Sequence, residues 1–322
     1  MGLRGYIVRR MFQLIPMIFG LLVINFTLIH MGGDPVYVLA GEDASPEYLE
    51  VVRERYGLNK PLHIQFIAYI SNVLQGDLGT SWRWSEPVSK IIWERIPNTL
   101  LLVFTSQILG ILMGIILSII TARIYPSKTE AIISGILLAF YSMPLFWFGV
   151  IMLIIFAFQL RWFPIGGIIS IDKELTGTSY ILDRLWHLFL PVFTMTVAWL
   201  MPMYQRITSA SVIEVMNEDF ITTARAKGMD EWSVFIKHAL RNALLPTVTV
   251  AGMYFGLMFS GAILTETIFS WPGIGRLMFE ATINRDFPVL MGIFLIVSIT
   301  VLLATLLTDI VYAILDPRIT YE

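Results

Sequence analysis

Six stretches of the chain carry no Asp, Glu, Lys or Arg: residues 11–33, 96–122, 131–160, 185–205, 242–265 and 287–308. Each is as long as the roughly 20 residues that a helix needs to cross about 30 Å of hydrocarbon. The pattern predicts six spanning helices. The longest polar interval, 34–95, has element signals of its own. In "SPEYLEVVRERYG", Ser45 stands as a cap, Pro46 at the first helical position and Gly57 just past the end. "LHIQFIAYISNVLQG" then reads as an amphipathic helix closed by Gly76. A second polar interval, 207–242, separates the fourth and fifth runs.

Composition agrees with a membrane protein: 56% of the 322 residues are hydrophobic and 14% charged, against about a quarter charged in a soluble domain. A net charge of −2 leaves no basic surplus for a nucleic-acid partner. With no Cys, disulfides and thiolate metal sites are excluded. Arg4, Arg9 and Arg10 before the first run resemble a signal-peptide start. However, the run exceeds a signal core of about 7–15 residues and has no cleavage site near its end, so it is expected to stay as an anchor.

An even number of spans puts both termini on one side, and Lys and Arg in short loops decide which side is cytoplasmic. Arg4, Arg9, Arg10, Arg123, Lys128, Arg206, Arg225, Lys227, Lys237, Arg241 and Arg318 lie with the termini. The short opposite loops hold Arg161, Lys173, Arg184, Arg276 and Arg285. The termini are therefore expected in the cytoplasm and segment 34–95 outside. The expected organisation is an N-terminal tail and first helix (1–33), an external segment (34–95), a five-helix core (96–316) holding cytoplasmic loop 207–242, and a cytoplasmic tail (317–322).

Within the second run, Ser106, Gly110, Gly114 and Ser118 recur every fourth residue, and Gly252, Gly256 and Ser260 repeat the device in the fifth. Such faces let another backbone approach closely; tight helix packing is the plain reading and a subunit interface the sharper one. Pro144, Pro191 and Pro202 interrupt the third and fourth runs, which a membrane helix tolerates when neighbours satisfy the freed carbonyls.

The four histidines, His30, His63, His187 and His238, show no metal spacing, and neither a nucleophile elbow nor a phosphate loop occurs. No residue is assigned a catalytic or metal-binding role. Asp309, directly after the last run, is the one candidate for an intramembrane ionisable group, placed near a helix end where a structural role fits. A bundle without relay or nucleotide site must draw its energy from another protein. An ion-driven secondary transporter and a membrane hydrolase remain as rivals; the first often shows inverted repeats, which are not found.

Two loops carry candidate function. In "ETIFSWPGIGRL", Glu266, Trp271, Pro272, Gly273 and Gly275 punctuate an outward loop, read either as a contact for an external protein or outer gate, or as an interfacial aromatic anchor. In loop 207–242, Asn217 is expected to cap a short helix over 218–227 that Gly228 stops, and Asp230 to cap the next. Ala224 and Ala226 give that helix a small surface, and Arg225 and Lys227 can pair with acids on a partner. Insertion into a partner's groove and adsorption to lipid headgroups both fit.

"ARAKG" (224–228), followed by the proline of "ALLP" (Pro246), resembles the coupling loop of ABC-importer permeases, in its peptide- and nickel-branch form "TARAKG". The general pattern's glutamate and two alanines fall on Thr222, Thr223 and Ala224. Only Ala224 and Gly228 match it, so an acid contact would pass to Glu218 or Asp219. The likeness continues through "YIVRRMFQLIP" (6–16), "GDPV" (33–36), "GDLGTS" (76–81), "ETIFSWPGIGRL" (266–277) and "DPR" (316–318). Together these are similar to the first permease subunit of dipeptide and oligopeptide importers. The resemblance implies an all-α type I ABC-importer permease in the cell membrane. It implies a second permease, two ATPase subunits that bind ATP and Mg, and an external solute-binding protein, this chain binding no cofactor itself. It implies that Asp219, Thr222, Thr223, Ala224, Arg225, Ala226, Lys227 and Gly228 form the ATPase-coupling site. The cargo implied is a di- or oligopeptide, with nickel chelates, glutathione and oligosaccharides as alternatives.

Overall fold

The structure is a computed structural model that describes residues 3–31, 34–41, 44–55, 58–171 and 174–315; the side chains of 255–261, 309 and 311–315, and of a few positions before residue 40, are outside the described set. Gly33, Gly57 and residues 316–318, read above as motif or stop positions, lie outside it, as do the side chains of Gly256, Ser260 and Asp309.

The described elements are helical, apart from one isolated bridge, Thr80 to Pro87. In chain order they are α1 (Leu3–Met31), α2 (Pro35–Ala40), α3 (Pro46–Arg55), α4 (Leu62–Leu74), α5 (Val88–Arg123), α6 (Lys128–Ser142), α7 (Leu145–Met152), α8 (Thr178–Met195), α9 (Met201–Val215), α10 (Asp219–Ala226), α11 (Glu231–Ser233), α12 (Arg241–Ile268), α13 (Ile274–Ile283) and α14 (Phe287–Leu315). Wider π-helical turns over Leu153–Gln159, Thr196–Leu200 and Val234–Leu240 extend α7, join α8 to α9 and join α11 to α12.

Among the described residues four stretches are apolar and long enough to cross a membrane, Ile7–Leu28, Val88–Arg123, Thr178–Val215 and Phe287–Thr308, or five if the bent pair α6–α7 makes one span, against the six expected from the sequence. The third hydrophobic run is not one straight span, because α6 and α7 meet at 97°. Met143 is extended (φ −75°, ψ 136°) and Pro144 opens α7, as expected where proline disfavours helix in the preceding residue. The fourth run shows the opposite outcome. Pro191 and Pro202 lie within the continuous stretch Thr178–Val215, and Pro202 follows the π-helical turn Thr196–Leu200. The wider turn accommodates a residue that lacks an N–H and crowds the carbonyl four positions earlier.

The chain divides into two units, the first comprising residues to Thr99 with Pro272–Leu306, the second Leu100–Trp271 with the end of α14 from Leu307. In the first unit, Phe66 of α4 meets Phe19 and Phe26 of α1 edge-on at 5.8 and 5.2 Å. Val88, Ile91 and Ile92 at the start of α5 pack against Ile274, Leu277 and Ala281 of α13 and Val289 and Ile293 of α14. Asp34 caps α2 through Val36 N–H at 3.1 Å and pairs with Arg53 at 3.0 Å. Ser45 Oγ accepts from Tyr48 N–H at 3.3 Å, and Gly76 follows α4 with φ +79°. Buried Asp286 accepts from Ser81 Oγ at 2.5 Å and Arg83 N–H at 3.3 Å, which ties the "GDLGTS" segment to the start of α14.

In the second unit, α9 packs on α12 and α6, and α7 on α8 and α12. The core holds Leu102, Val103, Met195, Leu200, Tyr204 and Ala262. A buried polar ladder crosses it. Gln107 Nε2 donates to Tyr204 Oη at 2.5 Å and to the Ala251 carbonyl at 3.1 Å. Gln205 Nε2 donates to Thr121 Oγ1 at 2.9 Å, and Thr208 and Thr247 share a hydrogen bond of 2.7 Å. In a dry interior each of these groups needs its partner, so the ladder fixes the register of α5, α9 and α12.

Candidate functional site

The loop between α9 and α12 folds as a short helix laid on its own support. Ile221 and Ala224 of α10 are buried against Val234 and Ala239. Asp219, Phe220, Thr222, Thr223, Arg225, Ala226, Lys227 and Gly228 remain exposed. Ala224 therefore lies on the supporting face and not on the approachable one; at three residues from Ile221 it falls on the same helix side.

The N-terminus of α10 also departs from expectation. Glu218 occupies the cap position, extended at φ −77° and ψ 149°, with no side-chain cap bond. Asn217 instead donates from Nδ2 to the Ile213 carbonyl at 2.8 Å, closing the end of α9. An Asn between two helices can serve either end, and here the preceding carbonyls claim it.

The C-terminal stop has the left-handed geometry that glycine takes without strain. Gly228 has φ +81°, and its N–H donates to the Arg225 carbonyl at 2.9 Å. A Cβ added there would meet nothing within 4 Å. Asp230 then caps the next helix by accepting from Ser233 N–H at 2.9 Å. That backbone bond holds the Asp230 carboxyl below its ordinary pKa.

Arg225 is already engaged within the loop. Its Nε and Nη2 reach the two carboxylate oxygens of Glu231 at 2.8 and 3.2 Å, a bidentate pair that braces α10 against α11. Arg123, at the end of α5, sits 4.9 Å over the Trp232 ring, which stacks at 6.1 Å on Phe235. These contacts surround a cleft of about 540 Å³. Lys227 is exposed, as is Phe220 in the first turn of α10, at 41%. Sequence reasoning passed over Phe220; an aromatic in the first turn of a charged, solvent-side helix was the available signal.

The small-residue stripe on α5 lies directly against the α8–α9 stretch. A Cβ on Gly110 would overlap Leu200 Cβ, and one on Gly114 would come within 2.5 Å of Tyr204 Cβ. Ser106 Oγ approaches Met195 Sδ at 3.8 Å, and buried Ser118 bonds the Ile115 carbonyl at 2.7 Å. In the fifth run, a Cβ on Gly252 would overlap Thr308 Cγ2. The stripe thus serves packing within this chain.

The outward loop differs from its expectation. Trp271 is fully buried, in the cluster of Leu102, Val103, Met195 and Tyr204. Its indole is neither a surface for an external protein nor an interfacial anchor in this conformation. The small side chains and tight turn around it allow burial: Gly167 N–H donates to the Phe269 carbonyl at 3.1 Å and Trp271 N–H to that of Glu266 at 2.8 Å. Glu266 is also buried. Within the first unit, Asn98 Nδ2 donates to the Pro272 carbonyl at 2.8 Å and Thr99 Oγ1 accepts from Ile274 N–H at 2.8 Å. Gly273 precedes α13, and Gly275 is buried in it. Among the described residues, no group of three metal-ligating side chains converges.

The described residues thus form an all-helical, largely apolar bundle with a braced, exposed helix between two of its long helices. Comparison gives the family. Residues 114–321 match the binding-protein-dependent transport system inner membrane component, and residues 3–103 match its N-terminal companion, "Binding-prot-dependent transport system membrane comp, N-term". The chain belongs to this family of inner-membrane permeases. It is 38% identical over 319 residues to the oligopeptide transport system permease protein AppB of Bacillus subtilis, covering 98% of this chain and 99% of that one. Identity is 38% over 333 residues to the dipeptide transport system permease protein DppB of Alkalihalophilus pseudofirmus, covering 98% and 99%. The glutathione transport system permease protein GsiC of Escherichia coli K12 is 36% identical over 319 residues, with 99% of each chain covered. An inward-facing structure of the MetNI methionine ABC transporter shares the fold, with a TM-score of 0.58 at 17% identity over 72% of this chain and 99% of that one.

Proposed function

We propose that this chain is one of the two permease subunits of an ATP-driven, binding-protein-dependent importer of di- or oligopeptides. In this reading it contributes six spanning helices, with both termini cytoplasmic and segment 34–95 outside. A second permease completes the pathway. Two ATPase subunits dock on the cytoplasmic face, and a solute-binding protein delivers cargo from outside. The chain itself performs no catalysis and holds no cofactor; ATP and Mg belong to the ATPase subunits. The peptide assignment rests on relatives named for oligopeptide and dipeptide transport over nearly the whole chain. Glutathione, itself a tripeptide, is the second cargo class, favoured by the 36% identical relative from Escherichia coli.

The observation that carries the coupling role is the construction of α10: two residues anchor it from below, a bidentate ion pair braces it from the side, and its remaining surface is left open. A helix so supported transmits a push as a rigid lever. ATPase closure would move it and turn the pathway outward; hydrolysis would reset it.

Gly228→Val tests this role. The left-handed conformation penalises a side chain by about 1–2 kcal/mol, while the open space around Gly228 spares the rest of the fold. The expected protein reaches the membrane at normal level, but its ATPase partners dissociate or hydrolyse ATP without moving cargo. Wild-type uptake would return α10 to the role of a lipid-surface helix.

A further inference from the structure

Between α6 and α9, within the second unit, lies a cleft of about 370 Å³. Its two charged lining groups have opposite sign, Glu130 on α6 and Arg206 on α9. Arg206, counted from the sequence among the cytoplasmic-side charges, stands within the apolar helical stretch Thr178–Val215 with its side chain exposed, and a cation in such a stretch is by default functional. Its guanidinium lies 5.8 Å from the Tyr141 ring centroid, which orients it without neutralising it. Among the described residues no carboxylate pairs with Arg206. The other polar side chains nearby are committed elsewhere: Gln205 donates to Thr121 Oγ1 at 2.9 Å, and Ser209 Oγ accepts from Thr121 Oγ1 at 3.3 Å. Glu130 accepts from Ser134 Oγ at 2.7 Å, which turns the carboxylate along α6 toward the cleft.

The two charges stand at different levels. From Glu130 to Tyr141 the axis of α6 rises about 16 Å at ~1.5 Å per residue, close to the length of an extended peptide of roughly five residues at ~3.3 Å each. An apolar-walled cleft with an unpaired cation at one level and an anion at the other is complementary to a zwitterion of that length. The geometry points to a cytoplasmic-half subsite for the two termini of a short peptide, with Arg206 receiving the C-terminal carboxylate and Glu130 the N-terminal ammonium. This inference rests on the peptide-import reading and adds the residues that would read the cargo inside the membrane. Arginine suits the task because its planar fork binds a carboxylate through two parallel hydrogen bonds.

The native chain lacks Cys, and Ala210 lines the cleft from an exposed position, so Ala210→Cys reports occupancy. The complete transporter, with its second permease, ATPase subunits and solute-binding protein, is placed in nanodiscs of phosphatidylcholine or phosphatidylethanolamine. Maleimide labelling is timed with a free pentapeptide or its C-terminal amide. The free acid is expected to slow labelling about ten-fold, the scale of one charge-assisted contact, and the amide much less. Adding Arg206→Gln should abolish the difference, and Arg206→Lys should restore part of it. Equal protection by acid and amide overturns the subsite. So does protection that follows the lipid headgroup and not the peptide, or an introduced thiol that never labels because the second permease covers the cleft. Uptake and ATP hydrolysis measured alongside separate the two levels of failure. A pentapeptide that neither enters nor stimulates hydrolysis removes the import reading and the subsite with it. One that does both while labelling ignores its carboxylate removes the subsite alone.

Discussion

Gly114→Ala is the smallest change that tests whether close helix approach holds the second unit together. The added Cβ would lie 2.5 Å from Tyr204 Cβ, 3.0 Å from the Gln205 backbone nitrogen and 3.1 Å from the Met201 carbonyl oxygen. Two of those atoms are backbone and cannot rotate away. Carbon atoms settle at about 3.5–4.0 Å, so α5 and α9 must part by roughly 1 Å. That movement stretches the 2.9 Å bond from Gln205 to Thr121 and the 2.5 Å bond from Gln107 to Tyr204, the first of them beyond hydrogen-bonding range. Overpacking costs about 1–3 kcal/mol, and a lost buried bond a similar amount. Alanine returns about 1 kcal/mol through helix propensity. The net expectation is a loss of about 3 kcal/mol. Gly20→Ala, on α1 with nothing within 4 Å of the added methyl, provides the control and should lose nothing. The assay is thermal unfolding of the purified transporter in detergent, followed by the folded fraction that survives heating. If Gly114→Ala melts with Gly20→Ala, the glycine stripe is incidental and the packing argument fails.

Trp271→Ala should destabilise the protein by about 3–5 kcal/mol through the cavity left in the core, with Trp271→Phe retaining most of the stability; normal stability with a selective loss of binding-protein stimulation would instead restore the contact reading. For topology, a cysteine at Glu174 should react with an impermeant maleimide in intact cells and one at Lys227 only after permeabilisation, and external labelling at Lys227 would invert the orientation.

The hydrophobic runs were legible because hydropathy reports burial in lipid over a whole helix length, and the runs coincide with α1, α5, α8–α9, α12 and α14. The third run shows the limit of that signal. Pro144 marked an interruption, but the 97° turn depends on the extended backbone of Met143, and a sum of residue hydrophobicities carries no direction. The α5 stripe was visible as a four-residue period, whereas its partner face on Leu200 and Tyr204 is a property of tertiary register. In the candidate site, Gly228 and Asp230 could be read because their roles are set by backbone chemistry within a few residues. Trp271 and Arg225 could not. A tryptophan beside Pro and Gly has the same local signature at an interface as in a core, and the Arg225–Glu231 pair spans a turn whose direction the sequence leaves open.

The central claim, that this chain passes peptides inward under the control of an ATPase, is tested most directly by uptake into proteoliposomes. The reconstituted complex would hold this chain, its second permease, the ATPase subunits and the solute-binding protein, with a labelled dipeptide presented on the binding-protein side. The account predicts accumulation that requires ATP, Mg and the binding protein, and that persists when proton and sodium gradients are collapsed. Uptake by this chain without ATPase subunits, driven by an ion gradient and indifferent to ATP, would contradict it.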